Sequence, residues 1–282
     1  MPIPALSIFY LCPTLLYLVL FVFGLIFGSF FYVVVQRCGQ EKKSWLRGRS
    51  CCDECGNLIA WFDNLPLFSF IALQGKCRHC QRRISWRYPL AELLTGLIFV
   101  FSGYTVFNSV FFQNWPAVMA FFFSLVSVSV LWLILLFDFE QGIIPDELVG
   151  LTLALALLRQ IILIAGSSFN LNKFVLELIL SLVFLLFFVG LRQIPYLLFK
   201  KHGIGPGDIK LIAPLSLLLG WPQMLVGVFC AFILGGIWGI ILLTLKQKKL
   251  GQRIAFGPFL ALGFLIALAW GEQLWLWYWQ FL

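Results

Sequence analysis

Long apolar stretches broken by short polar turns dominate this chain. Runs rich in Leu, Ile, Val and Phe occur near residues 8–35, 89–109, 116–137, 146–166, 174–199, 209–221, 223–245 and 256–278. A helix of about 20 such residues crosses a hydrocarbon core of ~30 Å, because each residue advances ~1.5 Å. The pattern predicts an all-α polytopic membrane protein with about eight transmembrane helices, the sixth run being short. Residues 36–88 form the one sizeable polar stretch, so the expected division is a first helix over 1–35, a polar domain over 36–88 and a membrane core of about seven helices over 89–282. The first run has no basic residues ahead of it and is longer than a signal-peptide core, so it reads as a helix of the mature protein.

Composition agrees with this reading. The 282 residues are 61% hydrophobic and 11% charged, with a mean hydropathy of +0.97, which excludes an ordinary soluble globule. Charge then sets the orientation. Ten of the 20 basic residues lie between Arg37 and Arg87, while Lys200, Lys201 and Lys210 flank the fifth-to-sixth turn and Lys246, Lys248, Lys249 and Arg253 precede the last run. With eight spans these segments share one side, which the positive-inside rule makes cytoplasmic, leaving both termini outside. The formal charge of +8 reflects this topology and an attraction to anionic lipid heads. No nucleic-acid module is visible, and no feature specifies an oligomeric state.

Two aspartates stand where apolar runs meet Gly/Pro-containing turns: Asp138 in F-D-F-E-Q-G-I-I-P-D-E-L and Asp208 in G-I-G-P-G-D-I-K-L. Threading the chain through eight spans brings both to the cytoplasmic side. Carboxylates are costly to desolvate at a bilayer edge, so a pair at matching depth suggests a water-accessible cavity where acid/base chemistry occurs. The reading is an intramembrane aspartic protease. Close like charges cannot both ionise easily, so the pair would share a proton. Asp208 begins a helix near Lys210 and is expected to be mostly the base; Asp138 ends a helix and is expected to be mostly the acid. Gly205 and Gly207 offer positive φ and close approach for an extended substrate. Glu140, Asp146 and Glu147 surround the first turn, where they suit either a basic peptide or the capping of the next helix.

The polar domain contains C-D-E-C (Cys52, Cys55) and C-R-H-C (Cys77, Cys80) with 21 residues between the pairs. Two such knuckles supply four thiolates for a tetrahedral structural zinc, one per chain. A reducing cytoplasmic side argues against disulfides, and two knuckles argue against a thioredoxin-like site. Cys51 has the wrong spacing for a ligand. Cys12, Cys38 and Cys230 read as small buried hydrophobes, and His79 and His202 as solvated. Gly24 with Gly28, and Gly235 with Gly236 and Gly239, read as close helix-packing positions.

In order along the chain, G-S-F (28–30), C-D-E-C, W-F-D-N-L-P-L-F-S-F (61–70), G-K-C-R-H-C (75–80), W-R-Y-P-L-A-E-L-L-T-G (86–96), D-F-E-Q-G-I-I-P-D-E-L (138–148), G-P-G-D-I-K-L (205–211) and F-G-P-F-L-A (256–261) resemble the bacterial type IV prepilin peptidases, leader peptidase/N-methyltransferases of the inner membrane. The resemblance covers nearly the whole chain. It departs at Phe31-Tyr32, where the family has Leu-Asn, at Arg37-Cys38-Gly39, and at Pro206. It implies cleavage of the short basic leader from prepilins or pseudopilins by Asp138 and Asp208, zinc on Cys52, Cys55, Cys77 and Cys80, and methylation of the new N-terminus by S-adenosylmethionine. The chain has no glycine-rich strand–turn–helix of the dinucleotide type, so a methyl-donor site is expected between the cysteine loop and the membrane helices. Glu92 is a candidate to face a cationic amine or sulfonium, or simply a carboxylate at a helix N-terminus. Glu177, Arg159 and Gln160 are polar residues within spans and have no assigned role. Two alternatives stay open: a peptidase without methylation, and a transporter or scaffold using membrane carboxylates as proton carriers.

Overall fold

A computed structural model describes residues 13–38, 50–52, 54–109, 115–165, 170–200, 203–246 and 256–280. Cys12, Lys201, His202, Lys248, Lys249 and Arg253 lie outside the described residues. The elements are α1 (Pro13–Cys38), a 3-10 turn (Trp61–Asn64), α2 (Phe68–Ala72), α3 (Arg87–Ser109), α4 (Trp115–Gln141), α5 (Asp146–Ala165), α6 (Leu171–Phe199), α7 (Pro206–Leu219), α8 (Gln223–Thr244) and α9 (Gly257–Trp279). Extended pairing among the described residues consists of two isolated bridges, Cys51 with Leu58 and Lys76 with Arg83.

Each apolar run becomes a helix, but the expected count of eight spans is not met. Six helices, α1, α4, α5, α6, α8 and α9, are long and apolar enough to cross a bilayer among the described residues. Outside that set are α3, with 23 residues, and α7, with 14. At ~1.5 Å per residue α7 extends about 21 Å, short of a ~30 Å core. Its boundaries explain the shortness: Pro206 opens it at N1, and Gly220, with φ 72°, closes it.

The chain divides into two compact units, residues 1–128 and 129–282. In the first, α1 and α3 approach through glycines. A Cβ on Gly24 would stand 2.7 Å from Gly96 Cα, and one on Gly28 would stand 2.8 Å from Glu92 Cα, so any side chain there would force the helices apart. Leu20, Phe99 and Phe121 close the core beside this contact. In the second, α7 packs against α5, α6, α8 and α9, and its Leu211, Ile212 and Leu215 are fully enclosed. Phe188, Phe232 and Phe256 form an aromatic cluster at centroid separations of 5.1 to 6.0 Å. Gly235 packs against Phe256, with its Cβ position 3.3 Å from the ring, whereas Gly236 faces open space and does not serve the close packing expected of it. Leu182, Leu186, Ile237 and Ile240 point outward, as apolar side chains do where the solvent is lipid.

Candidate active site and cysteine cluster

Asp138 stands one turn from the C-terminal end of α4. There Gly142 takes φ 67° and donates its N–H to the Asp138 carbonyl at 3.0 Å, which stops the helix and turns the chain toward Pro145 and α5. Asp208 is the third residue of α7 and accepts from the backbone N–H of Gly205, the N-cap. This is half of a capping box: Gly205 has no side chain with which to cap, so the Asp208 carboxylate reaches back instead.

The two carboxylates, 70 residues apart in sequence, converge on one α-carbon. A Cβ built on Gly257 would collide with Asp138 Oδ2 and stand 3.0 Å from Asp208 Oδ1. Both acids are buried, with 8% and 5% of their surface exposed, and Asp138 Oδ2 has no hydrogen-bond partner among the described residues. A buried carboxylate oxygen left unmatched costs free energy unless a proton, or a donor such as a water or a substrate N–H, occupies its lone pairs. Gly257 lies in F-G-P-F-L-A, where the sequence alone gives it no role beyond a glycine immediately before Pro258 in the first turn of α9.

Other expected features differ in detail. Gly205 has φ −67° and Gly207 lies inside α7, so neither takes the positive φ expected. Their smallness serves close approach: a Cβ on Gly205 would stand 3.3 Å from Asp208 Oδ2, and one on Gly207 3.3 Å from Ile144 in the turn after α4. Lys210 turns away from the dyad and pairs with Asp146 at 2.8 Å, with both side chains exposed. One of the two grounds for making Asp208 the base is thereby lost. Glu147 lies with Asp146 in the first turn of α5, exposed, and Glu140 is half-buried near the end of α4.

Among the residues without an assigned role, three come together. Arg159 donates to Glu177 at 3.2 Å and to the Leu217 carbonyl at 3.3 Å, Gln160 donates to Glu177 at 3.1 Å, and the N–H of Trp221 donates to Glu177 at 3.3 Å. The cluster ties α5 and α6 to the C-terminal end of α7.

In the first unit the Sγ atoms of Cys52, Cys55, Cys77 and Cys80 lie within 4.8 Å of one another, and Cys52 and Cys80 are 3.8 Å apart. Four thiolates at ~2.3 Å from a tetrahedral zinc stand ~3.8 Å apart, so this donor set fits that ion. The two knuckles repeat one design. Cys52 donates to Asn57 O and accepts from Gly56 N–H; Cys77 donates to Arg82 O and accepts from Gln81 N–H. The fourth residue after each first cysteine has positive φ, 68° at Gly56 and 57° at Gln81. The N–H groups of Cys80 and His79 donate to the Cys77 thiol and bring its pKa down to about 6. The Arg82 N–H pulls the Cys80 thiol down too, but burial and the neighbouring thiols prevail and push it up to about 11. Arg78 fastens the second knuckle to the 3-10 turn through bonds of 2.6 and 2.8 Å to Asp63, whose carboxyl it holds below the usual range. Cys51 is not in the cluster, and His79 contributes its backbone rather than its ring.

Residues 22–106 match the family model of the bacterial peptidase A24 N-terminal domain, and residues 125–240 that of the type IV leader peptidase family. The chain is 31% identical to a prepilin leader peptidase/N-methyltransferase of Aeromonas salmonicida across 94% of both chains. It is 32% identical to the protein of that name from Pseudomonas aeruginosa, across 97% of this chain and 94% of the relative. One from Myxococcus xanthus is 34% identical over 83% of this chain. No solved structure gives a significant match.

Proposed function

The chain belongs to the type IV leader peptidase family, and on that premise we propose that it removes the basic leader of prepilins or pseudopilins and then methylates the new N-terminal residue. The observation that carries the peptidase half is the convergence of Asp138 and Asp208 on Gly257 in a buried site. Hydrolysis needs one carboxylate ionised, to take a proton from water, and one protonated, to polarise the scissile carbonyl; the two titrate as a pair that shares one proton. The absent side chain at Gly257 admits both carboxylates to this point, where a Cβ would collide with Asp138. Gly205 and Gly207 let an extended segment pass close to Asp208.

The active site faces the cytoplasm of a bacterial inner membrane in this reading; the concentration of Lys and Arg supports that side when α3 and α7 cross together with the six longer helices, which puts the basic segments and both aspartates on one face. Glu140, Asp146 and Glu147 give that face local negative charge for a basic leader, with Asp146 already shared with Lys210. Functionally the chain divides into the first helix (1–35), the cysteine domain (36–88) and the peptidase core (89–282). Cys52, Cys55, Cys77 and Cys80 would hold one zinc, which supplies folding free energy to a loop too small for a core of its own. The methyl donor supplies an activated methyl group on a sulfonium.

Mass spectrometry of a synthetic prepilin incubated with the purified protein, lipid and S-adenosylmethionine tests both halves. The expected product lacks the leader and carries one added methyl on its N-terminus. A leaderless product without the methyl would reduce the function to peptidase alone, and an intact substrate would remove both.

A further inference from the structure

A cavity of about 650 Å³ opens within the first unit, between the cysteine loop and the ends of α1 and α3. That is the size of a small-molecule site, where pockets run from ~300 to ~1,000 Å³. Its walls mix apolar side chains such as Leu58 and Phe70 with Arg82 and Arg83, and at one side reach Cys52 and Cys77, so part of this volume borders the four-cysteine cluster. Glu92 lines it, 8% exposed. A carboxylate kept this far from water at a cavity wall is there for a cation or a set of donors. Two donors hold it. The backbone N–H of Leu67 lies 2.8 Å from Oε2, and the Ser29 hydroxyl also bonds to it.

Both donors depend on specific local geometry. Ser29 reaches Glu92 because the adjacent Gly28 allows α1 to touch α3 at the Glu92 α-carbon. Leu67 aims its N–H at the carboxylate from φ 57°, ψ −47°, a conformation that costs a branched side chain free energy and persists where surrounding structure imposes it. The Gly28 contact also serves the packing of α1 on α3, but a carboxylate needed only at the start of α3 would not require the strained Leu67.

We propose that this cavity binds the adenosyl sulfonium methyl donor, with Glu92 as the fixed anion facing the cationic sulfur. The proposal rests on the methyl-transfer reading above. In the transfer, the lone pair of the neutral N-terminal amine forms the new N–C bond as the S–C bond breaks, that bonding pair stays on sulfur as a neutral thioether, and the surplus proton on nitrogen leaves to water. The ligand thus loses its positive charge at sulfur during the reaction. A buried anion therefore favours the donor over the spent thioether and promotes exchange of one for the other.

Equilibrium binding of S-adenosylmethionine and of its thioether product to the full-length, zinc-loaded protein in lipid nanodiscs tests this. Glu92→Gln keeps the side-chain size and an acceptor for Leu67 N–H. It should weaken donor binding about tenfold while leaving thioether binding within about twofold, since the two ligands share their other charges and only the donor carries one at sulfur. An equal loss for both ligands, or none for either, overturns the role of Glu92. A second measurement uses the wild type and so does not depend on how the variant folds: Cys51 lines the cavity but lies outside the four-cysteine cluster, so saturating thioether should slow its alkylation at least severalfold. Binding without protection of Cys51 overturns the cavity alone. Absence of any donor binding overturns the proposal together with the methyl-transfer reading.

Discussion

Gly257 shows how much a single missing side chain can control. Its α-carbon lies between two carboxylates, and a methyl group there would meet Asp138 Oδ2 at once and Asp208 Oδ1 at 3.0 Å. Neither acid can retreat freely, since both are buried at helix ends. Gly257→Ala is expected to displace the acids by a fraction of an ångström, and misplacements of about 1 Å cost up to ~100-fold in rate. Steady-state assays should therefore show kcat falling by about tenfold or more with KM little changed. Wild-type kcat in this variant would place the acids elsewhere during catalysis.

At the scale of elements, α7 is the part whose position matters most, because it carries Asp208 at one end and is too short to be anchored at both membrane surfaces. Its other end is held by Arg159 and Glu177 through the Leu217 carbonyl and the Trp221 N–H. A buried ion pair contributes little net stability over an apolar replacement, but removing one partner strands the other charge, at a cost of about 3–5 kcal/mol. Glu177→Leu should accordingly lower the thermal midpoint measured in lipid, and Arg159→Leu combined with it should recover most of that loss. Cleavage should stay impaired in the double variant if the cluster sets the height of α7. Full cleavage by the double variant would reduce the cluster to a membrane-tolerated ion pair. Arg159, Gln160 and Glu177 have no role legible in the sequence because each is an isolated polar residue in an apolar run; spacing along one helix carries no information about a cluster built from three.

Across the whole molecule, what the sequence made legible follows physical periodicity and spacing. Apolar runs located the membrane helices because lipid leaves backbone groups no partners but each other. The C-x-x-C pairs located the cysteine cluster because the ligands' spacing is local. The count of eight spans is not confirmed at two runs, 89–109 and 209–221, the second being bounded by proline and glycine in a helix only 14 residues long. The positive φ expected at Gly205 and Gly207 failed because the need there is for approach, which composition alone does not separate from turn geometry. Sequence proximity pairs Lys210 with Asp208, whereas the fold brings Asp146 to it from 64 residues away. Gly257 escaped notice for the same reason, being related to the acids only in space.

The central claim is that Asp138 and Asp208 act together as the proteolytic pair. It is tested most directly by cleavage assays of Asp138→Asn and Asp208→Asn, each confirmed by circular dichroism and zinc content to be folded. An amide keeps the shape but neither shares the proton nor takes one from water, so each variant should lose cleavage by at least about 100-fold, the scale of a removed acid/base group. Cleavage within a few-fold of wild type in either folded variant would contradict the account.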